Sequence, residues 1–169
     1  SDRLFPDNYI TQCMDPDLSF QPDVVNMKQY FMGVDFAMSA QSGSDFTVVT
    51  ILEKSPDTNK LKIVWIDRWR GLDYTIQKER IKELSERYQI IKALGDEGSF
   101  GKTFIYDLKA MGVPIDGYKF TYQSRSKEEL IKALRDQFEK KGFVIPNRKT
   151  DMKTVTTIKA LCDELSKFG

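Results

Sequence analysis

The order of extended and helical segments predicts an α/β fold, a mixed sheet with helices on its faces. Apolar stretches over Phe31–Phe36, Phe46–Glu53 and Leu61–Asp67 read as three successive antiparallel strands. The turn-forming run Ser55-Pro56-Asp57-Thr58-Asn59 joins the last two as a hairpin. Beyond Gly71 the pattern changes to helices alternating with short strands, which calls for parallel pairing. A chain of 169 residues that is 40% hydrophobic, with no repeat or internal linker, suits one domain with its own core.

The elements follow in order. Residues 1 to about 28 read as an irregular, Asp- and Pro-rich lead-in anchored by Leu4, Phe5, Tyr9, Ile10 and Phe20. Residues 29–169 form the domain proper. After the three strands, Ile76, Ile81, Leu84 and Tyr88 recur at helical spacing on a charged background. A short strand, Ile90–Leu94, ends at Gly95-Asp96-Glu97-Gly98. The next helix carries Phe104, Ile105, Leu108 and Met111 on one face and stops at Gly112, with Pro114 just beyond. A strand fits Gly117–Tyr122. Ser126-Lys127-Glu128-Glu129 opens another helix as a capping box, closed by Gly142. Phe143–Pro146 is a brief extended piece. A last helix from about Asp151 to Phe168 turns Val155, Ile158, Leu161, Cys162 and Leu165 inward.

Composition excludes several chemistries. The chain has no histidine, so Ser-His-Asp and Cys-His catalysis and His-ligated zinc hydrolysis cannot be built from it. Cys13 and Cys162, the two cysteines, stand far apart, which argues for a reducing compartment and against a disulfide framework or structural zinc. The 26 basic and 25 acidic side chains nearly cancel, so any nucleic-acid contact must come from a local patch. No apolar run is long enough to span a bilayer, and the first residues lack the pattern of a signal peptide. If the chain is an enzyme, carboxylates, a lysine or a hard cation on oxygen ligands must carry the chemistry.

The acids are the most informative feature. Asp35 ends an apolar strand, where an ionised carboxylate is costly unless its charge is offset. It reads either as a turn cap or lysine partner, or as a ligand for a divalent cation. Asp96 ends the fourth strand, and ligands in open α/β sheets bind at the carboxyl ends of strands. If those strands lie side by side and parallel, Asp35 and Asp96 converge. With a cation between them they become a clamp suited to phosphodiester hydrolysis. Glu97 competes with Asp96, but adjacent residues on a strand point to opposite faces, so only one reaches the site. Asp45, after Gly43-Ser44, reads more simply as turn chemistry.

Gly95 to Thr103 imitates a phosphate-binding P-loop, yet Asp96 stands where the pattern needs glycine and would aim negative charge at a phosphate. Basic candidates for a nucleic-acid backbone are Arg68-Trp69-Arg70, Arg125 with Lys127, Lys140-Lys141, and Arg148-Lys149. Arg148 and Lys149, in the loop after Pro146, are preferred.

Gly33-Val34-Asp35-Phe36-Ala37, Gly43-Ser44-Asp45-Phe46-Thr47, Asp96-Glu97-Gly98-Ser99-Phe100-Gly101 and the run from Phe120 through Ser126-Lys127-Glu128-Glu129 to Gly142-Phe143-Val144-Ile145-Pro146 resemble the nuclease domain of tailed-bacteriophage large terminase subunits. Matches run in the expected order from Phe31 to Phe168, and the lead-in looks like the connector from the motor ATPase. The resemblance implies a ribonuclease H-like fold and a magnesium- or manganese-dependent endonuclease that cuts concatemeric viral DNA during packaging. Asp35 and Asp96 match the family's catalytic acids, and Asp45 an acid often seen near the metal. The implied partners are double-stranded DNA, the motor ATPase domain of the same polypeptide, the small terminase subunit and the portal. The implied location is the host cytoplasm during virus assembly. The family places a further acid in a carboxyl-terminal segment, commonly beside a His-Asp-Asp run, and this sequence ends about where that segment begins. Asp151, Asp163 and Glu164 are the available substitutes, though each reads better as a cap or a solvated helix position. The competing functions are a P-loop or actin-like ATPase, resting on Gly98–Thr103, and a docking module without turnover.

Overall fold

The computed structural model describes residues 3–36, 46–98, 101–119 and 126–167. In chain order the elements are α1 (Asp7–Thr11), β1 (Met14–Asp15), β2 (Gln29–Asp35), β3 (Thr47–Lys54), β4 (Leu61–Trp69) and α2 (Tyr74–Arg87). They continue with β5 (Lys92–Asp96), α3 (Gly101–Ala110), β6 (Ile115–Tyr118), α4 (Ser126–Glu139), β7 (Phe143–Pro146) and α5 (Met152–Ser166). The strands form one sheet in the order β1-β7-β4-β3-β2-β5-β6. β3 runs antiparallel to β2 and β4, and the remaining pairs are parallel. The expected mixed α/β sheet is therefore present, with β2 and β5 adjacent and parallel.

Period-two alternation assigns the two faces. Tyr30, Met32 and Val34 of β2 are buried while Gln29, Gly33 and Asp35 are exposed. The buried set meets Val49 and Ile51 of β3, Ile81 and Leu84 of α2, and Phe104, Ile105 and Leu108 of α3 in one core. The opposite face of β4 and β7, with Ile63, Ile66, Phe143 and Ile145, packs against Phe138 of α4 and Ile158 and Leu165 of α5. On the β2–β5 side of that second face, Gly33 is exposed and Leu94 is 48% exposed. The catalytic-acid candidates stand at the top of this open area.

Two sequence readings need correction. The lead-in is not irregular: α1 forms, β1 pairs with β7, and Phe5, Ile10, Cys13 and Phe20 are buried in the second core. The anchors expected there are in place: Phe5, Ile10 and Phe20 are buried, and Leu4 and Tyr9 pack against the same core. Ile76 does not face inward. It is 47% exposed, and Gln77 is buried instead, accepting from Thr47 Oγ1 at 2.8 Å and donating to the Leu72 carbonyl at 2.8 Å. A satisfied polar side chain thus holds α2 against the start of β3. Asp73 caps α2 and Asp151 caps α5, each accepting an amide three residues on.

The far end of β2 and β3 carries a buried charge. Glu53, 2% exposed, accepts from Tyr30 Oη at 2.7 Å, Gln21 Nε2 at 3.0 Å and Lys28 Nζ at 3.1 Å. Burial pushes its carboxyl up, but these three donors outweigh burial and hold it below its ordinary value. Tyr30 is pushed up by burial and by the hydrogen bond to Glu53. This network ties the lead-in to the sheet. No helix among the described residues is long and apolar enough to cross a membrane.

Candidate metal and nucleic-acid site

Asp35 is the last residue of β2 and Asp96 the last of β5. The parallel register ends with Val34 opposite Gly95, so the two acids occupy the next step, on neighbouring strands about 4.8 Å apart. Their parity places both on the open face. Asp35 is exposed and Asp96 half-buried. Local packing secures this end of the sheet. The Phe36 ring turns to the opposite face, 4.5 Å from the Phe104 centroid, and passes Gly95 so closely that a Cβ there would lie 2.8 Å from it. Only glycine leaves room for that ring beneath the acids.

Asp96 is further held from behind. Its Oδ1 accepts from the Gly98 amide at 2.9 Å, and the backbone of Gly101 at the start of α3 abuts the Asp96 carbonyl. The α3 N-terminus then adds a favourable field for a carboxylate. Glu97 points the other way, over Gly117, while its amide extends the ladder to the Tyr118 carbonyl at 2.8 Å. The strand thus runs two residues later than the sequence suggests, and the preference for Asp96 over Glu97 at the shared face agrees with the parity of β5.

This arrangement does not suit a P-loop. Gly98 N is taken by the Asp96 carboxylate, and Gly101 N donates to the Gly98 carbonyl at 2.8 Å. Two amides that a phosphate cradle would need are already engaged, and Gly101, Lys102 and Thr103 lie inside α3.

Two hard oxygen donors on one face fit a magnesium- or manganese-class ion better than a soft metal. They make a partial ligand set: among the described residues no three Asp, Glu or Cys side chains gather closely enough to hold an ion. Asp45 lies outside the described residues, as do Arg125 and the side chain of Lys127. Asp151 is committed to the α5 cap, accepting from Thr154 Oγ1 at 3.0 Å. Glu164 lies 4.0 Å from Arg68 and 3.9 Å from Lys167 and joins no acid group.

The basic candidates separate. Arg148 donates to the Asp17 carbonyl, and Lys149 lines a groove of about 400 Å³ with Met14, Val155 and Cys162; both follow β7, three strands across the sheet from β2. Arg68 instead shares the acids' row, because Asp35 pairs with Val48 and Val48 with Arg68. Arg68 and Arg70 both lie over the Phe46 ring, at 3.6 and 5.0 Å from its centroid. The signal was available in the sequence: two arginines flanking a buried Trp69 on a strand must share one exposed face.

A profile of the Terminase RNaseH-like domain family matches residues 32–169. The chain belongs to this family. Family membership accounts for the order of elements, since the match begins in β2 and runs to the end of α5. The large terminase subunit of Thermus virus P23-45 is 29% identical over 149 residues, covering 88% of this chain and 26% of that protein. This terminase-family chain thus spans about a quarter of that relative's length. The crystal structure of the large terminase nuclease from thermophilic phage G20c with bound magnesium aligns with a TM-score of 0.66 at 27% identity, over 85% of this chain and 66% of that one. The zinc-bound form of that nuclease aligns with a TM-score of 0.63 at 28% identity, over 89% and 74% of the two chains. The fold is the ribonuclease H-like fold of terminase nucleases.

Proposed function

We propose that this chain is a divalent-metal-dependent endodeoxyribonuclease domain that cuts concatemeric viral DNA during genome packaging. The observation that carries the reading is the placement of Asp35 and Asp96 as neighbours at the ends of two parallel strands. The magnesium in the G20c nuclease supports a hard dication as cofactor. Asp35 and Asp96 would hold the ion, with Asp45 as a further ligand from the segment after β2. The ion would supply Lewis-acid polarisation of a phosphodiester and a lowered pKa for attacking water. Asp96 contributes orientation as well as charge, because the Gly98 amide fixes one carboxylate oxygen and leaves the other to the site. The exposure of Asp35 leaves the site open to a large substrate such as double-stranded DNA. In this reading the domain works beside a motor ATPase in the same polypeptide, with the small terminase subunit and the portal as partners, in the host cytoplasm.

Two measurements test the proposal. At a Mn²⁺ concentration about a hundredfold above its dissociation constant, linkage predicts roughly 2.7 kcal/mol of added stability. Asp35→Asn should abolish that gain, and an undiminished shift in the variant would place the ion elsewhere. Supercoiled plasmid incubated with the chain and Mn²⁺ should be nicked and linearised. A plasmid that stays supercoiled while the metal still stabilises the protein would favour a docking module without turnover.

A further inference from the structure

Behind the two acids, one aromatic ring joins the three elements that carry or brace them. Phe36 directly follows Asp35, and its ring packs against the first core, behind the open face. A Cβ built on Gly95, the residue before Asp96, would lie 2.8 Å from the ring's Cε2 and 3.3 Å from its Cζ. A Cβ on Gly101, at the start of α3, would lie 3.7 Å from its Cδ2, in ordinary contact. The ring also packs on Phe104 of α3, with centroids 4.5 Å apart and planes tilted by 41°. Phe36 therefore fills the space between the two strand ends and the first turn of α3. Its contacts come from different elements, so a shift of the ring is felt by each of them. The Gly101 backbone in turn abuts the Asp96 carbonyl, which brings the circuit back to the second acid.

What this wedge does for the site follows from the ion. A magnesium-class ion holds its oxygens at about 2.0–2.1 Å in a near-ideal octahedron, whereas calcium accepts about 2.3–2.6 Å in a loose shell. Two carboxylates borne on separate strands satisfy the smaller ion only if the strand ends keep a fixed separation. Calcium tolerates drift. Selectivity between such ions depends on cavity size, ligand number and flexibility, and the last is what a side chain packed behind the strands can set. We propose that Phe36 is a positioning residue that rigidifies the Asp35–Asp96 pair and so favours a small dication over calcium. This inference rests on the reading of those acids as metal ligands, and adds to it the residue that makes the pair selective.

The test measures ion binding apart from cutting. Mn²⁺ bound to the full chain is followed by the electron paramagnetic resonance signal of the free ion. Phe36→Leu should raise the Mn²⁺ dissociation constant roughly tenfold, the low end for residues that orient metal ligands. With Mn²⁺ well above its dissociation constant, the calcium that releases half of it should fall by roughly the same tenfold, because calcium's own affinity stays put. Gly95→Ala should weaken Mn²⁺ binding too, since its methyl group displaces the ring. Leucine lacks the Cε2 and Cζ atoms that this methyl group meets, so the double variant should recover part of the loss. Its loss should be at least about threefold smaller than the product of the single losses. Ile158→Ala, in the second core, lowers stability from a distance and should leave the Mn²⁺ constant within about twofold. An unmoved Mn²⁺ constant in Phe36→Leu, strictly multiplicative losses in the double variant, or a loss that Ile158→Ala reproduces would each overturn the proposal. Equal losses of manganese and calcium binding would overturn the selectivity it assigns. A parent that binds no Mn²⁺, or an Asp35→Asn variant that binds it as tightly, would refute the metal reading itself and the proposal with it.

Discussion

Replacing Gly101 by alanine would place a methyl group 2.9 Å from the Asp96 carbonyl carbon and nearer still to its oxygen. The oxygen, 1.9 Å away, decides: ordinary carbon–oxygen contact begins at about 3.3 Å, so strand end and helix start must separate by roughly 1.4 Å. Neither is a flexible side chain. Overpacking of this kind costs about 1–3 kcal/mol, from which the helix preference of alanine over glycine returns up to about 1 kcal/mol. The expected net loss is about 1–2 kcal/mol, or a melting temperature lower by roughly 2–8 °C for a chain of this size. Gly117→Ala provides the contrast. Its methyl group would also overlap a neighbour, but that neighbour is the end of the Glu97 side chain, which can swing into solvent. Its stability should stay within about 1 kcal/mol of the parent, helped by the lower backbone entropy of alanine. Gly101→Ala should also slow Mn²⁺-dependent plasmid cleavage by on the order of 10–100-fold, since it moves the strand end that carries Asp96. Thermal melts and a cleavage time course measure both. Equal stability losses in the two variants would refute the claim that α3 is docked on the Asp96 backbone. A destabilised Gly101→Ala variant with parental cleavage would refute the claim that this docking positions the site.

Glu53 sets an acid limit. Its folded pKa lies below its ordinary value of 4.5, so its contribution is fully present above pH 4.5 and is lost as pH falls through the folded value. In urea melts below pH 4.5, the parent should lose stability faster than Glu53→Gln by up to about 1.4 kcal/mol per pH unit. Parallel curves would mean that Glu53 has no special environment. Glu53→Ala, which strands Tyr30, Gln21 and Lys28 around an empty site, should cost about 3–5 kcal/mol by chemical denaturation. Leu108, fully buried between α3 and the sheet, should cost about 2–5 kcal/mol when cut to alanine. Calorimetry should detect no ATP binding that depends on Lys102, because the nearby amides are already used; a heat signal lost in Lys102→Ala would revive the nucleotide-binding alternative.

Much of the sheet was legible because its signals are local. Period-two burial in β2 and β3 and the Pro-Asp turn before β4 define the antiparallel strands from nearest neighbours alone. Capping by Asp151 and the stop at Gly112, with φ of +91°, likewise need only adjacent residues. The lead-in was legible only in part: its anchors were readable as apolar residues, but its helix and its pairing with β7 were not, for the opposite reason. Phe5 and Ile10 are buried by α4 and β7, elements more than a hundred residues away, and nothing in their own spacing announces that. Ile76 and Gln77 show the same limit in miniature: helical periodicity assigns a stripe, but the Thr47 hydroxyl decides which edge of the stripe is inside.

The site is a conjunction of local and distant facts, and this explains which part of it could be read. That Asp35 and Asp96 each end a strand is local. That they are neighbours requires β5 to insert beside β2, on the side away from β3, which only the crossover through α2 brings about. The same topology sets the distance of Arg68 from the acids. Because β3 is antiparallel and lies between β2 and β4, the β4 end returns to the level of Asp35 but two strands away, carrying Arg68 into the same row. If the β3–β4 hairpin slipped by one residue, period-two parity would turn Arg68 to the α2 side and Trp69 onto the open face. The burial of Trp69 in the first core therefore specifies the hairpin register, and through it the side of the sheet on which the arginines meet the acids.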